Sequence, residues 1–348
     1  MSVLELRPII LGIFTLICAI VIVLIEMVFN SVADGTYLLT LTFWIALIQG
    51  PVALAAAAEV SKGKWIQPLK KDLFAFYPLI LLLGVLFIFM FFKMSIYPWS
   101  HDEHRWLNPN FFISRNAILL VISFIFAHLY IRASLKEKSY AGKLGILYLL
   151  TFIVSQSLVA FDWVMSLAYP WMSTMFAPIF FMESFYAGLA VAAIIAAFLL
   201  HKEKGDQQEL QKVLQDSAVF MFGFALAWAG LYYGQFLVIW YGNVPWETSF
   251  FAIRMGHSPY KELMYFIIIL LFIVPFVVLL PKKIKNSRLW VAGIAFLVLL
   301  GLLIERIFYI APVTTINFFW FSVEFFVFGL LMVLFFINRD KIIKTVVS

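Results

Sequence analysis

The 348-residue chain holds a single cysteine, Cys18, inside its first apolar run. Disulfides, Cys-ligated zinc, iron–sulfur clusters and a CxxCH haem attachment are thereby excluded for the chain itself, and no other metal-ligand motif is present. Charge is scarce as well. Charged residues make up 13% of the chain, against about 25% in soluble globular domains. The connections between apolar runs are too short for a nucleotide-binding or kinase domain, so ATP-driven chemistry within the chain is not expected.

What is abundant is apolar: 64% of residues are hydrophobic, with 39 Phe and 11 Trp. Lipid is the solvent such a composition calls for, with aromatic belts at the helix ends. The net charge of +6 sits largely in short loops, where Lys and Arg orient helices rather than bind nucleic acid.

About 20 apolar residues cross a hydrocarbon core of about 30 Å. On that ruler the sequence predicts a single all-α polytopic membrane domain over 1–348. Its ten spans are Arg7–Phe29, Tyr37–Glu59, Phe76–Ile96, Asn110–Ser134, Lys143–Leu167, Ser173–Leu200, Ser217–Trp240, Glu262–Leu280, Leu289–Tyr309 and Thr315–Ile337. The first run is long, contains Glu26 and lacks a small-residue cleavage site, so it reads as a retained helix and not a signal peptide.

Basic residues then alternate between connections. Nineteen lie at the two ends and after the even-numbered spans, in groups such as Lys62, Lys64, Lys70 and Lys71 or Lys282, Lys283, Lys285 and Arg288. The other side is left with Lys93, Arg105, Arg115, Arg254, Lys261 and Arg306. By the positive-inside rule both termini are cytoplasmic. The longest outer connections carry His101, Asp102, Glu103 and His104, then Trp246, Glu247, Arg254 and His257. A partner on the outer face is expected to dock there.

Ionisable groups inside spans are costly and mark proton, ion or ligand paths by default. The outer third holds Glu26, Arg115, Asp162, Gln235, Glu262, Glu305 and Arg306. Glu183 and Glu324 fall near mid-membrane, and His128 and Glu59 lie toward the cytoplasm. Arg115 and Asp162 share a depth on consecutive spans, which predicts an ion pair or a quinol or proton site. Glu305 and Arg306 read as an interfacial pair. Asp162, Glu183, Glu324 and His128 are the candidates for a proton path. Trp99, Trp106, Trp163, Trp171, Trp240 and Trp246 read as an interfacial belt.

Two stretches are more specific. Asp162-Trp163-Val164-Met165-Ser166-Leu167 with Pro170-Trp171-Met172-Ser173-Thr174-Met175-Phe176 resembles the DWxMSL…WxSTMF signature of the NrfD-like ActF family of membrane subunits. These belong to alternative complex III, a bacterial quinol:electron-acceptor oxidoreductase. Gln235 through Thr248 is similar to the same family's Q-x-L-x-I-W-Y-x-N-[IV]-P-E-E-T segment, with Arg254 following. Leu107-Asn108, Phe111-Phe112 and Arg115 echo its LN…FF…R segment. The likeness runs from about Pro98 to Pro312. Trp246 stands where that family has an acidic residue, and the chain enters its first span without the longer leader, as a trimmed or divergent member would.

The resemblance implies two four-helix bundles, about 37–167 and 173–309, with the first and last spans peripheral. It implies a bacterial inner-membrane subunit that anchors iron–sulfur and multihaem cytochrome c subunits on the outer face beside a second NrfD-like subunit. Such a subunit has no catalytic centre of its own evident. It would conduct protons through a carboxylate-lined half-channel, with a quinone or interface site at Arg115, Asp162, Trp163 and Gln235. From the residues alone, a stand-alone proton-coupled secondary transporter and a purely structural anchor stay open.

Overall fold

In lipid, a backbone amide finds no partner in its solvent, so an apolar segment of spanning length closes its hydrogen bonds internally as a helix. The computed structural model of the chain, which describes residues 6–30, 33–101, 105–203 and 205–348, is built accordingly. Ten of its helices are long and apolar enough to cross a membrane. They are α1 (Pro8–Val28), α2 (Thr36–Val60), α3 (Gln67–Ile96), α4 (Pro109–Leu135), α5 (Ala141–Ala168), α6 (Phe176–His201), α7 (Gln207–Gly242), α8 (Tyr260–Val278), α9 (Arg288–Ile310) and α10 (Phe318–Ile337). The protein is an all-α polytopic membrane protein.

Local chemistry sets the helix ends. Asn108 caps α4 by accepting from the amides of Asn110 and Phe111, and Asp206 caps α7 through Gln208 and Glu209. Asn243 ends α7 in the left-handed region at φ 46°, a conformation that Asn tolerates better than most residues. The start of α1 meets the end of α10: Leu6 N donates to Asn338 Oδ1 at 2.7 Å, and Lys341 Nζ donates to the Leu6 carbonyl at 3.2 Å. That side is the terminal face, and the other is the opposite face.

Helices α2, α3, α4 and α5 pack around a ring, each touching the next, and α6, α7, α8 and α9 close a second ring. The two rings join where α2 lies on α6. Outside them, α1 packs on α3 and α10, and α10 on α2. Helix α1 is the most apolar of the ten and faces outward; α2 is less apolar and its hydrophobic window is entirely buried. That order follows from solvent. A lipid-facing helix needs long apolar side chains, whereas a central one needs small residues that let backbones approach. A methyl group on Gly50 would lie 2.0 Å from the Ser184 carbonyl oxygen, and one on Gly188 2.6 Å from the Gly50 carbonyl. Only glycine fits at this crossing, with Pro51 beside it.

Candidate functional site

Seven residues make about two helical turns, or about 10 Å of rise, so residues seven apart line one face. On α4, Asn116, Ser123 and Tyr130 are spaced this way, and on α5, Tyr148, Ser155 and Asp162; all six are buried. The helices run in opposite directions, so the two stripes meet rung by rung.

At the opposite-face rung, Asp162 accepts from Arg115 Nε at 2.7 Å, Asn116 Nδ2 at 2.8 Å and Trp106 Nε1 at 3.3 Å. The Arg115 guanidinium also lies 4.4 Å from the Trp106 ring centroid. Trp163 Nε1 donates to Asn116 Oδ1, and Tyr97 OH to the Trp163 carbonyl. Asp162 sits in a π-turn over Val159–Val164, a local widening common at functional sites. The expected Arg115–Asp162 ion pair is therefore present, with three donors on one carboxylate.

Gln49 of α2 holds the middle rung. Its Nε2 donates to Ser123 Oγ at 3.1 Å and Ser155 Oγ at 3.3 Å, and its Oε1 accepts from Gln156 Nε2 at 2.8 Å. Tyr148 OH reaches the Gln49 carbonyl at 3.2 Å and so ties the middle rung to the next, where Tyr130 and Tyr148 stack. Below it, Glu59 accepts from Tyr130 OH at 3.0 Å and from Ser134 Oγ, and pairs with Lys70 Nζ at 2.7 Å. Between Gln49 and the terminal face the hydrogen bonds run from Tyr148 to Gln49 and from Tyr130 to Glu59, with the stacked Tyr130 and Tyr148 rings between them. Neutral Ser, Gln and Tyr form most of the ladder, which is why ionisable residues inside the spans point only to Arg115, Asp162 and Glu59. The sevenfold spacing on two consecutive helices was the signal that could have found the rest.

The other candidates fall elsewhere. Glu183 lies seven residues past Phe176, and Glu324 six past Phe318. At about 1.5 Å per residue both are about 10 Å below the opposite-face helix ends, shallower than mid-membrane. Glu183 is the ion-pair partner of Arg306, and its carboxyl faces that of Glu305 within hydrogen-bonding reach. Glu305 and Arg306 are 0% and 1% exposed, so they are a core cluster and not an interfacial pair. Glu324 accepts from Thr40 Oγ1 and faces Glu26, which pairs with Lys93 at 2.6 Å.

Each cluster thus holds two carboxyls and one cation. Buried unpaired charge is costly, so the cation of each cluster is held against its carboxyls. Glu183 Oε1, Glu305 Oε2 and Glu324 Oε1 have no hydrogen-bond partner among the described residues. The four proton-path candidates are therefore not brought together. Asp162 is in the first ring, Glu183 in the second and Glu324 beside α2 at the periphery, while His128 bonds Tyr77 OH through Nδ1 at 3.0 Å near the terminal face.

Gln235 is buried on α7, which packs on α6 and α8 and so is separate from Arg115 and Asp162. Of the docking residues, His101 and Trp246 are exposed and Glu247 is half-buried, while His104 lies outside the described residues. Arg254 turns inward. At 1% exposure it donates to the carbonyls of Phe308, Tyr309 and Phe250, and its guanidinium covers the Phe250 ring. Burial pushes this guanidinium down to about 10. It clamps the short helix Pro245–Met255 to the end of α9. Trp171 continues the clamp by stacking on Phe250 with ring centroids 3.6 Å apart. Trp99, Trp163 and Trp171 are core residues, which leaves Trp106, Trp240 and Trp246 facing outward as a belt.

Lys93, Arg115, Arg254 and Arg306 are all turned inward, so of the six opposite-face cations only Arg105 and Lys261 are exposed. The charge asymmetry is sharper in space than in sequence. Among the described residues, no three His, Cys, Asp or Glu side chains gather as a metal site requires. No protein-family model and no curated protein matches the chain.

Proposed function

We propose that the chain is the ActF-like membrane subunit of a bacterial quinol:electron-acceptor oxidoreductase of the alternative complex III kind. It sits in the inner membrane with the terminal face toward the cytoplasm. It anchors iron–sulfur and multihaem cytochrome c subunits on the opposite face, beside a second NrfD-like subunit, and conducts protons through the α2–α5 ring. The basic groups at the terminal face support the orientation.

The observation that carries the proton path is the ladder from Asp162 through Gln49 and Tyr130 to Glu59 and Lys70. Intramembrane polar groups in a buried, membrane-crossing row are the arrangement a proton relay needs. The hydroxyls of Ser123, Ser155, Tyr148 and Tyr130 can each accept one proton while donating another. Water bridging Asp162 to the Gln49 rung, and Tyr148 to Tyr130, would complete the row. Glu183 and Glu324 lie outside this path.

The test is purification of the tagged chain from native membranes in mild detergent, followed by quinol-driven proton uptake in vesicles. Haem and iron–sulfur subunits are expected to co-purify, and Gln49→Leu is expected to stop proton uptake while electron transfer continues. Full uptake in Gln49→Leu would refute the path. A chain that purifies alone and takes up solute would refute the subunit assignment.

A further inference from the structure

A cavity of about 250 Å³ opens at the terminal face where α1, α3, α4, α10 and the C-terminal helix Arg339–Val347 converge. Leu11 and Gly12 form one wall, Phe335 and Ile342 another, and the polar groups are Tyr77, His128 and Thr345, whose hydroxyl donates to the Lys341 carbonyl at 3.0 Å. No Lys or Arg lines it. A phosphate headgroup would therefore find no counter-charge in the wall itself, whereas a neutral ring would bury apolar surface and find the Tyr77–His128 pair. A cavity of about 150 Å³ already holds a benzene ring, so this one has room for a substituted ring.

The polar group is prepared for such a ligand. Tyr77 is buried and stacks on Phe124 with ring centroids 5.6 Å apart, and its hydroxyl holds His128 Nδ1 at 3.0 Å. Nε2 has no hydrogen-bond partner among the described residues. When Tyr77 donates to Nδ1, the neutral imidazole presents Nε2–H as a donor. In the other tautomer Nε2 is an acceptor. One tautomer of this pair therefore serves a carbonyl oxygen, and the other a hydroxyl. His128 lies seven residues before the end of α4, about 10 Å into the membrane. Helix α1, which walls the cavity on the lipid side, is largely unburied.

We infer that this cavity binds the headgroup of a lipid-soluble quinone or quinol, with His128 Nε2 hydrogen-bonded to one ring oxygen and the tail leaving beside α1 into lipid. The site lies on the other side of the membrane from Arg115 and Asp162. It borrows only its ligand class from the reading given under Proposed function, and it does not depend on the proton ladder.

The test uses the purified full chain in nanodiscs and a photoreactive azidoquinone, with crosslinks mapped by mass spectrometry. Labelling is expected on the peptides holding Leu11–Gly12 and Tyr77–Pro78. A methyl group on Gly12 meets no atom within 4 Å, so Gly12→Leu fills the cavity without strain and is expected to remove the label. His128→Phe keeps the ring stacking and is expected to weaken binding by about fivefold, the weight of one neutral hydrogen bond. Labelling that survives Gly12→Leu overturns the site. Labelling lost in Gly12→Leu but indifferent to His128→Phe also overturns the headgroup assignment, because a lipid tail then fills the cavity. The readout is binding alone, so it stands whether or not the chain conducts protons.

Discussion

Replacing Glu183 by Gln removes the carboxylate that pairs with Arg306, yet the fold is expected to tolerate it. Glu305 remains beside Arg306, so one carboxylate and one guanidinium still cancel. The expected cost is that of a rearranged buried hydrogen bond, about 1 kcal/mol. Glu305→Gln is equivalent, and its Oε1 can still accept from Tyr309 OH. The double replacement differs in kind, because it leaves a 1% exposed guanidinium with no anion. Breaking a buried pair costs about 3–5 kcal/mol, so a coupling of at least about 1–3 kcal/mol should remain after both single costs are subtracted. Equilibrium unfolding of the purified chain in mixed micelles with increasing dodecyl sulfate, followed by circular dichroism, measures all three. Additive costs would refute the shared-charge account. So would a single replacement as damaging as the double.

Gly188→Leu is expected to prevent folding, because a side chain there meets the Gly50 carbonyl from its first carbon; loss of monodisperse protein on size-exclusion chromatography would report it. Arg254→Met should free the helix Pro245–Met255 from the carbonyls of Phe308 and Tyr309. Hydrogen exchange should then rise in that helix while staying unchanged in α2, and unchanged exchange in the helix would show that Arg254 is not its clamp. Asn108→Ala removes the cap of α4 and should cost about 1 kcal/mol. The loss should appear as faster exchange at Asn110 and Phe111 alone.

The motif residues that prompted the family resemblance have local structural reasons. Asn108 starts α4 and Asn243 ends α7, while Trp163 and Trp171 fill the core beside Asp162 and Phe250. The two Asn roles follow from short-range cap chemistry, whereas Trp163 and Trp171 read as belt residues until the fold brings Asn116 and Phe250 against them. The partner of Arg306 was not. Its sequence neighbour Glu305 stands beside it on α9, but the ion pair closes to Glu183, 123 positions away on α6. Sequence spacing orders residues within one helix and says nothing of which face another helix presents. For the same reason Arg254 reads as a loop cation for a partner, although the fold turns it inward.

Ten apolar runs, their alternating basic flanks and the two sevenfold polar stripes are properties of consecutive residues, and the sequence by itself determined them. Membrane insertion depends on the summed transfer free energy of each run, which requires no knowledge of neighbours. Only the tertiary structure decided which helix lies at the centre, where α2 and α6 touch through Gly50 and Gly188, and which buried charges share a partner. Those outcomes depend on close packing and on pairing charges in a medium without water, and both are set by which helices become neighbours.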